Sequence, residues 1–167
     1  MDRRRFLILG TGSFAAGALC LIARAQQHVV AVEVRPSSPA FKLSDTQWRQ
    51  KLGSQRYAVL RQAATEPPFS SPLDHEHRTG VYRCAGCALP LFSSQNKFDS
   101  GTGWPSFWRP LTASAITTDT DTSLMMVRTE VRCGRCASHL GHVFDDGPPP
   151  TGLRYCINGL ALDFIPA

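Results

Sequence analysis

Two Cys-x-x-Cys pairs, Cys84-Ala85-Gly86-Cys87 and Cys133-Gly134-Arg135-Cys136, constrain this chain more than any other feature. Each follows a stretch with strand character, Val81-Tyr82-Arg83 and Glu130-Val131-Arg132. Each also holds a glycine, which lets the knuckle turn tightly enough for both sulfurs to face one point. Four thiolates from two such knuckles close a tetrahedral shell with no open position. The spacing therefore predicts one structural zinc on Cys84, Cys87, Cys133 and Cys136. Arg83, Arg132 and Arg135 would partly offset the charge of four thiolates. Two disulfides are the competing reading in an oxidising compartment. His139 is a further candidate ligand, because Cys136-Ala137-Ser138-His139 is also a workable spacing.

The rest of the chain divides into three segments. Residues 1–25 read as an export signal. Asp2-Arg3-Arg4-Arg5-Phe6-Leu7 resembles a twin-arginine motif, a moderately apolar stretch runs from Phe6 to Ala23, and Ala23-Arg24-Ala25 offers the small residues a signal peptidase reads. Export by this route implies a bacterial periplasm. An uncleaved membrane anchor facing the periplasm is the alternative. Residues 26–40, ending in Pro36-Ser37-Ser38-Pro39, read as a linker. Residues 41–167 are enough for one domain. Much of the formal net charge of +5 comes from Arg3, Arg4, Arg5 and Arg24, so the domain itself is only weakly basic. That argues against a nucleic-acid partner.

Within the domain, Ser44-Asp45-Thr46-Gln47-Trp48 predicts a helix start, with Ser44 as cap and Gln47 at the third helical position. A second short helix is expected around Tyr57–Ala64, stopped by Pro67-Pro68. From Val81 onward, runs rich in Val, Phe, Tyr and Thr alternate with turn residues. Val127 to Arg132 alternates as a half-buried strand does. These signals predict a small helical part on an antiparallel β domain.

Cys156 is the one cysteine after residue 25 outside the two pairs. On a strand, Arg154, Cys156 and Asn158 share a face, with Tyr155 and Ile157 on the other. A cation beside a thiol favours the thiolate, the form that attacks. A buried core cysteine is the equally open alternative. His75 and His77, in the polar run Asp74-His75-Glu76-His77-Arg78, read as solvated.

The motifs Gly103-Trp104-Pro105-Ser106-Phe107, Ser138-His139-Leu140-Gly141-His142-Val143-Phe144 and Arg154-Tyr155-Cys156-Ile157-Asn158 resemble the methionine-R-sulfoxide reductase family, MsrB. Thr65-Glu66-Pro67-Pro68-Phe69, Lys97-Phe98-Asp99-Ser100-Gly101, Asp146-Gly147-Pro148 and Ala161-Leu162-Asp163-Phe164 fit the same pattern. So does the cysteine quartet, which binds zinc in one branch of the family. The resemblance implies a mainly β fold of two antiparallel sheets with short N-terminal helices.

The resemblance also assigns roles. Cys156 would be the nucleophile that attacks the sulfoxide sulfur. His142 would protonate the departing oxygen, supported by His139. Arg154 and Asn158 would tune the thiolate and hydrogen-bond the reacting group. On the substrate side stand Trp104, packed against the methyl group, Phe107 from the same motif, and Asp146, which would orient a histidine or bind the substrate's polar end. Two-cysteine members of the family carry a resolving cysteine two residues before the motif tryptophan, and here that residue is Thr102. The implied cycle uses methionine-R-sulfoxide, free or in oxidised proteins, and an external thioredoxin-like or other thiol reductant. The chain is expected to act as a monomer, with the membrane involved only through the export signal. Two rivals, a zinc-ribbon nucleic-acid binder and a Cys-x-x-Cys thiol–disulfide oxidoreductase, leave the tryptophan and histidine motifs unexplained.

Overall fold

Ser44 opens the first element as a reciprocal cap. Its hydroxyl accepts from the Gln47 N–H, and the Gln47 side chain accepts from the Ser44 N–H at 2.8 Å. Helix α1 runs Asp45–Gln62 but breaks at Gly53 (φ 68°, ψ 174°). A straight helix would separate Asp45 from Tyr57 by about 18 Å. Instead the Tyr57 hydroxyl donates to the Asp45 carboxylate, so the two arms fold back on each other. The two short helices expected from the sequence are these arms. Trp48, Leu52, Tyr57, Val59 and Leu60 are buried, and the helix ends on Ala63 in the left-handed conformation (φ 55°).

This computed structural model describes residues 41–167. The export-signal and linker readings lie outside the described residues. No helix among the described residues is long and apolar enough to cross a membrane.

Among the described residues, nine strands form two antiparallel sheets. The smaller has the order β2-β1-β9, from Pro90–Ser93, Gly80–Cys84 and Leu162–Pro166. The larger has the order β3-β4-β8-β7-β6-β5, from Lys97–Phe98, Ser106–Phe107, Arg154–Ile157, His139–Phe144, Arg128–Cys133 and Ile116–Asp121. A core joins them, in which Phe92 stacks on Phe107 with ring centroids 4.4 Å apart and Tyr82 meets Phe107 edge-on at 4.9 Å. β6 departs from clean alternation. Glu130 and Val131 are both buried, and the register shifts between Val131 and Arg132.

Cys84 ends β1 in the small sheet, and Cys133 ends β6 in the large one. The two knuckles thus come from different sheets and meet. The reason for their glycines differs from the sequence expectation. The left-handed residues are Ala88 and Ala137, each just after a second cysteine (φ 58° and 53°). Gly134 is needed for closeness, since a Cβ there would lie 2.3 Å from the Ser114 carbonyl oxygen.

Candidate active site and metal centre

Strand pairing builds the site. β7 and β8 are neighbours, and His142 lies directly across from Cys156. Opposed residues of an antiparallel pair share a face, so the imidazole and the thiol project to the same side. Gly141 permits this tight pairing, because a Cβ there would come within 2.1 Å of the Cys156 carbonyl oxygen. Trp104 arrives on the loop before β4. Gly103 (φ 88°) sets that loop against Pro68 and Phe69, where a Cβ would meet the Phe69 nitrogen at 2.7 Å. Together Trp104, His142, Phe144, Cys156, Asn158 and Arg128 line a cavity of about 120 Å³.

Each histidine is held by a carboxylate that motif reading missed. His142 Nε2 lies 2.8 Å from Asp121 Oδ2. Asp121 also accepts from Arg128 Nη2 at 2.7 Å and from the Ser123 N–H at 2.8 Å. The Ser123 hydroxyl and N–H, with His142, hold the Asp121 carboxyl well below the usual range, so it is an anion here. His139 Nδ1 lies 2.7 Å from Glu130 Oε1. Burial pushes His139 down more than Glu130 raises it, so its neutral form donates from Nδ1. The two imidazoles stand edge to face at 5.5 Å.

Cys156 sits 3.9 Å from the Thr102 hydroxyl. Burial pushes its thiol up, against the opposing effects of Thr102 and Arg154. Burial thus outweighs the pull of the arginine toward the thiolate. Arg154 is bound at both ends to Asp146, at 2.8 Å each, and its guanidinium lies over the Phe144 ring at 4.4 Å. Asp146 thus holds an arginine, and Asp121 and Glu130 take the histidine-orienting role considered for it. Asn158 lies just past β8 and is committed to backbone. Its Oδ1 accepts from the Glu66 N–H at 3.0 Å, and its Nδ2 donates to the Leu140 carbonyl at 3.1 Å.

Phe107 corrects the sequence reading. It pairs with Tyr155, whereas Ser106 pairs with Cys156. By strand alternation Phe107 faces away from the thiol, and it is wholly buried in the aromatic core. It therefore packs the sheets together and does not line the Cys156 cavity. A further residue emerges in its place. Glu66 is buried, accepts from the Gly159 and Leu160 N–H groups, and takes the Trp104 indole N–H on its backbone carbonyl at 3.1 Å. His75 and His77 are exposed, as expected.

The four knuckle cysteines are buried, and their sulfurs all lie within 4.8 Å of one another. Across the knuckles, Cys84 and Cys136 are 3.7 Å apart and Cys87 and Cys133 3.5 Å. These are not disulfides. A tetrahedron with metal–sulfur bonds of ~2.3 Å has edges of about 3.8 Å, close to these two separations. This centre can hold a metal ion. His139 lies outside the cluster, on Glu130. Arg135 donates to the Cys87 carbonyl at 3.3 Å, and Arg61 of α1 donates to that of Cys136 at 3.1 Å. Arg132 is taken by Glu130 instead.

Comparison with known proteins agrees with this geometry. The SelR domain family matches residues 52–166. A peptide methionine sulfoxide reductase MsrB of Thioalkalivibrio sulfidiphilus is 58% identical over 123 residues, covering 74% of this chain and 90% of the relative. The protein of the same name from Thiobacillus denitrificans is also 58% identical over 123 residues, covering 74% of this chain and 93% of its own length. That of Agrobacterium fabrum is 52% identical over 130 residues, covering 78% and 96%. A family match over most of the chain, and relatives spanned nearly end to end, show that the chain belongs to the SelR-domain, MsrB family.

Proposed function

We propose that this chain is a peptide-methionine (R)-S-oxide reductase in which the Cys156 sulfur removes oxygen from the R-sulfoxide of methionine. The observation that carries this reading is the placement of Cys156 opposite His142 in a small cavity walled by Trp104 and Phe144. The indole and phenyl faces suit a thioether methyl group. His142, oriented by Asp121, passes a proton to the sulfoxide oxygen and recovers one from the thiol. The sulfur–oxygen bond of the substrate breaks, a sulfur–oxygen bond forms on Cys156, and the products are methionine and a sulfenic acid. An external thiol then displaces water from the sulfenic acid, giving a mixed disulfide. A second thiol equivalent releases Cys156 and leaves with the oxidised reductant. Thioredoxin-like proteins and small thiols are the reductant classes that fit. Thr102 has no sulfur to take over this role internally.

Zinc is the metal that the four-thiolate set suits best, with Cys84, Cys87, Cys133 and Cys136 as ligands. Its contribution when bound is structural. The substrate is methionine sulfoxide, free or in oxidised proteins, and the chain acts as a monomer. The paired arginines at Arg3 and Arg4 support export to a periplasm by the twin-arginine route. Replacing both with Lys should leave the protein in the cytoplasm, because that receptor reads guanidinium pairs. Unchanged periplasmic recovery would point to another route or an anchor.

Steady-state assay with separated epimers and dithiothreitol tests the central reading. Turnover is expected with the R epimer only. Cys156→Ser should abolish it, and His142→Ala should slow the chemical step by roughly 10²–10⁴-fold. Turnover by Cys156→Ser would assign the chemistry to another group.

A further inference from the structure

The chain has three methionines, Met1, Met125 and Met126. Among the described residues, none lies in the core. Both occupy the tip of the connection between β5 and β6, where Met125 is fully exposed and Met126 half-exposed. Their neighbours Leu124 and Val127 are exposed at 72% and 81%, so the tip is a run of apolar side chains in water.

The base of this connection is fixed. Asp121 binds the Ser123 N–H and the Arg128 guanidinium, and the same carboxylate holds His142. Leu124 and Met125 both take left-handed backbone (φ 56°), which is unfavourable for a residue with a side chain. The tip is thus held outward by its anchors. A projecting methionine with apolar flanks is the form of substrate that a cavity as small as the one around Cys156 can accept. It has room for the end of a side chain, walled by Trp104 and Phe144, and none for a folded element.

We propose that Met125 is a modification site that the protein both acquires and clears. A peroxide oxidises the Met125 thioether to the sulfoxide and leaves as water. Cys156 of a second copy then takes the oxygen, becoming a sulfenic acid and restoring the thioether, and a thiol reductant resets it as in the ordinary cycle. This proposal rests on the reductase reading. Peroxide attack gives both epimers at sulfur, and one reductase type clears only one of them, so about half of the oxygen on Met125 is removable by this chain. Repeated exposure drives the residue toward the other epimer, which accumulates as a lasting polar mark at the tip of the β5–β6 connection. Core packing is untouched by it.

The test uses full-length Cys156→Ser protein as the substrate. It is treated with hydrogen peroxide, desalted, and mixed with a small amount of untreated wild-type protein and dithiothreitol. Fragment mass spectra of the tryptic peptide ending at Arg128 locate the oxygen. Met125 is expected to gain one oxygen from peroxide and then lose it from about half of the molecules, since the reductase acts on a single epimer. The remaining half should yield to a reductase specific for the S epimer. A small R-sulfoxide in the same tube serves as the internal control. If that control is reduced while Met125 keeps all its oxygen, the proposal is overturned and the reductase reading stands. Reduction of neither would sink both. Resistance of Met125 to peroxide, or loss of its oxygen with dithiothreitol alone, would also overturn the proposal.

Discussion

Thr102 occupies the place from which a second thiol would resolve the sulfenic acid, 3.9 Å from the Cys156 sulfur. Its hydroxyl can hydrogen-bond the nucleophile but cannot form a bond that releases it. Thr102→Cys should therefore change the chemistry. One equivalent of R-sulfoxide without reductant should give that variant an intramolecular disulfide to Cys156, and the wild type a dimedone-reactive sulfenic acid. Recovery of the same dimedone adduct from both would show that the geometry at residue 102 does not support resolution. At this scale the sequence was informative where a motif carries its own context. Cys156, His142 and Trp104 were all legible, and all line one cavity. The carboxylates were not. Asp121 lies 21 residues from His142, and the Glu66 carboxylate meets the Gly159 N–H across 93 residues. Those contacts exist only once strands have paired.

The capping box of α1 is a local device, written in Ser44 and Gln47 and found where it was expected. Ser44→Ala should cost about 1 kcal/mol in a denaturant melt, since it removes one half of a reciprocal pair at a helix start. A change within error would mean that tertiary packing of Trp48 alone fixes that end. The fold-back at Gly53 was less legible, because a single glycine inside a helical pattern is often tolerated. What decides it is the bond from Tyr57 to Asp45, a contact between two arms. β4 teaches a related lesson. Read as a motif, Phe107 belongs with Trp104. Read as a strand, it belongs with Tyr155 on the opposite face, and the pairing of Ser106 with Cys156 decides between them.

At the scale of the molecule, the cysteine quartet joins two sheets that share no hydrogen-bonded strand edge. A metal there ties the end of β1 to the end of β6. β6 pairs with β7, and β7 carries both His139 and His142. Removing the metal should therefore loosen the sheets as well as one loop, because site formation and folding are coupled. Metal analysis is expected to find one zinc per chain, and a strong chelator should lower the melting temperature and abolish activity together. Full thermal stability after verified metal loss would contradict a structural role. The quartet was legible from spacing alone, whereas its position between sheets was not, since spacing says nothing about which strands precede the knuckles in space.

Single-turnover stoichiometry tests the oxygen-transfer chemistry most directly. The protein, free of reductant, is mixed with one equivalent of either sulfoxide epimer, and both methionine and the state of Cys156 are measured. The R epimer should yield one methionine per chain, with a matching dimedone adduct located on Cys156, and the S epimer should yield neither. Methionine formed from the S epimer, or from the R epimer with Cys156 left as a free thiol, would contradict the account.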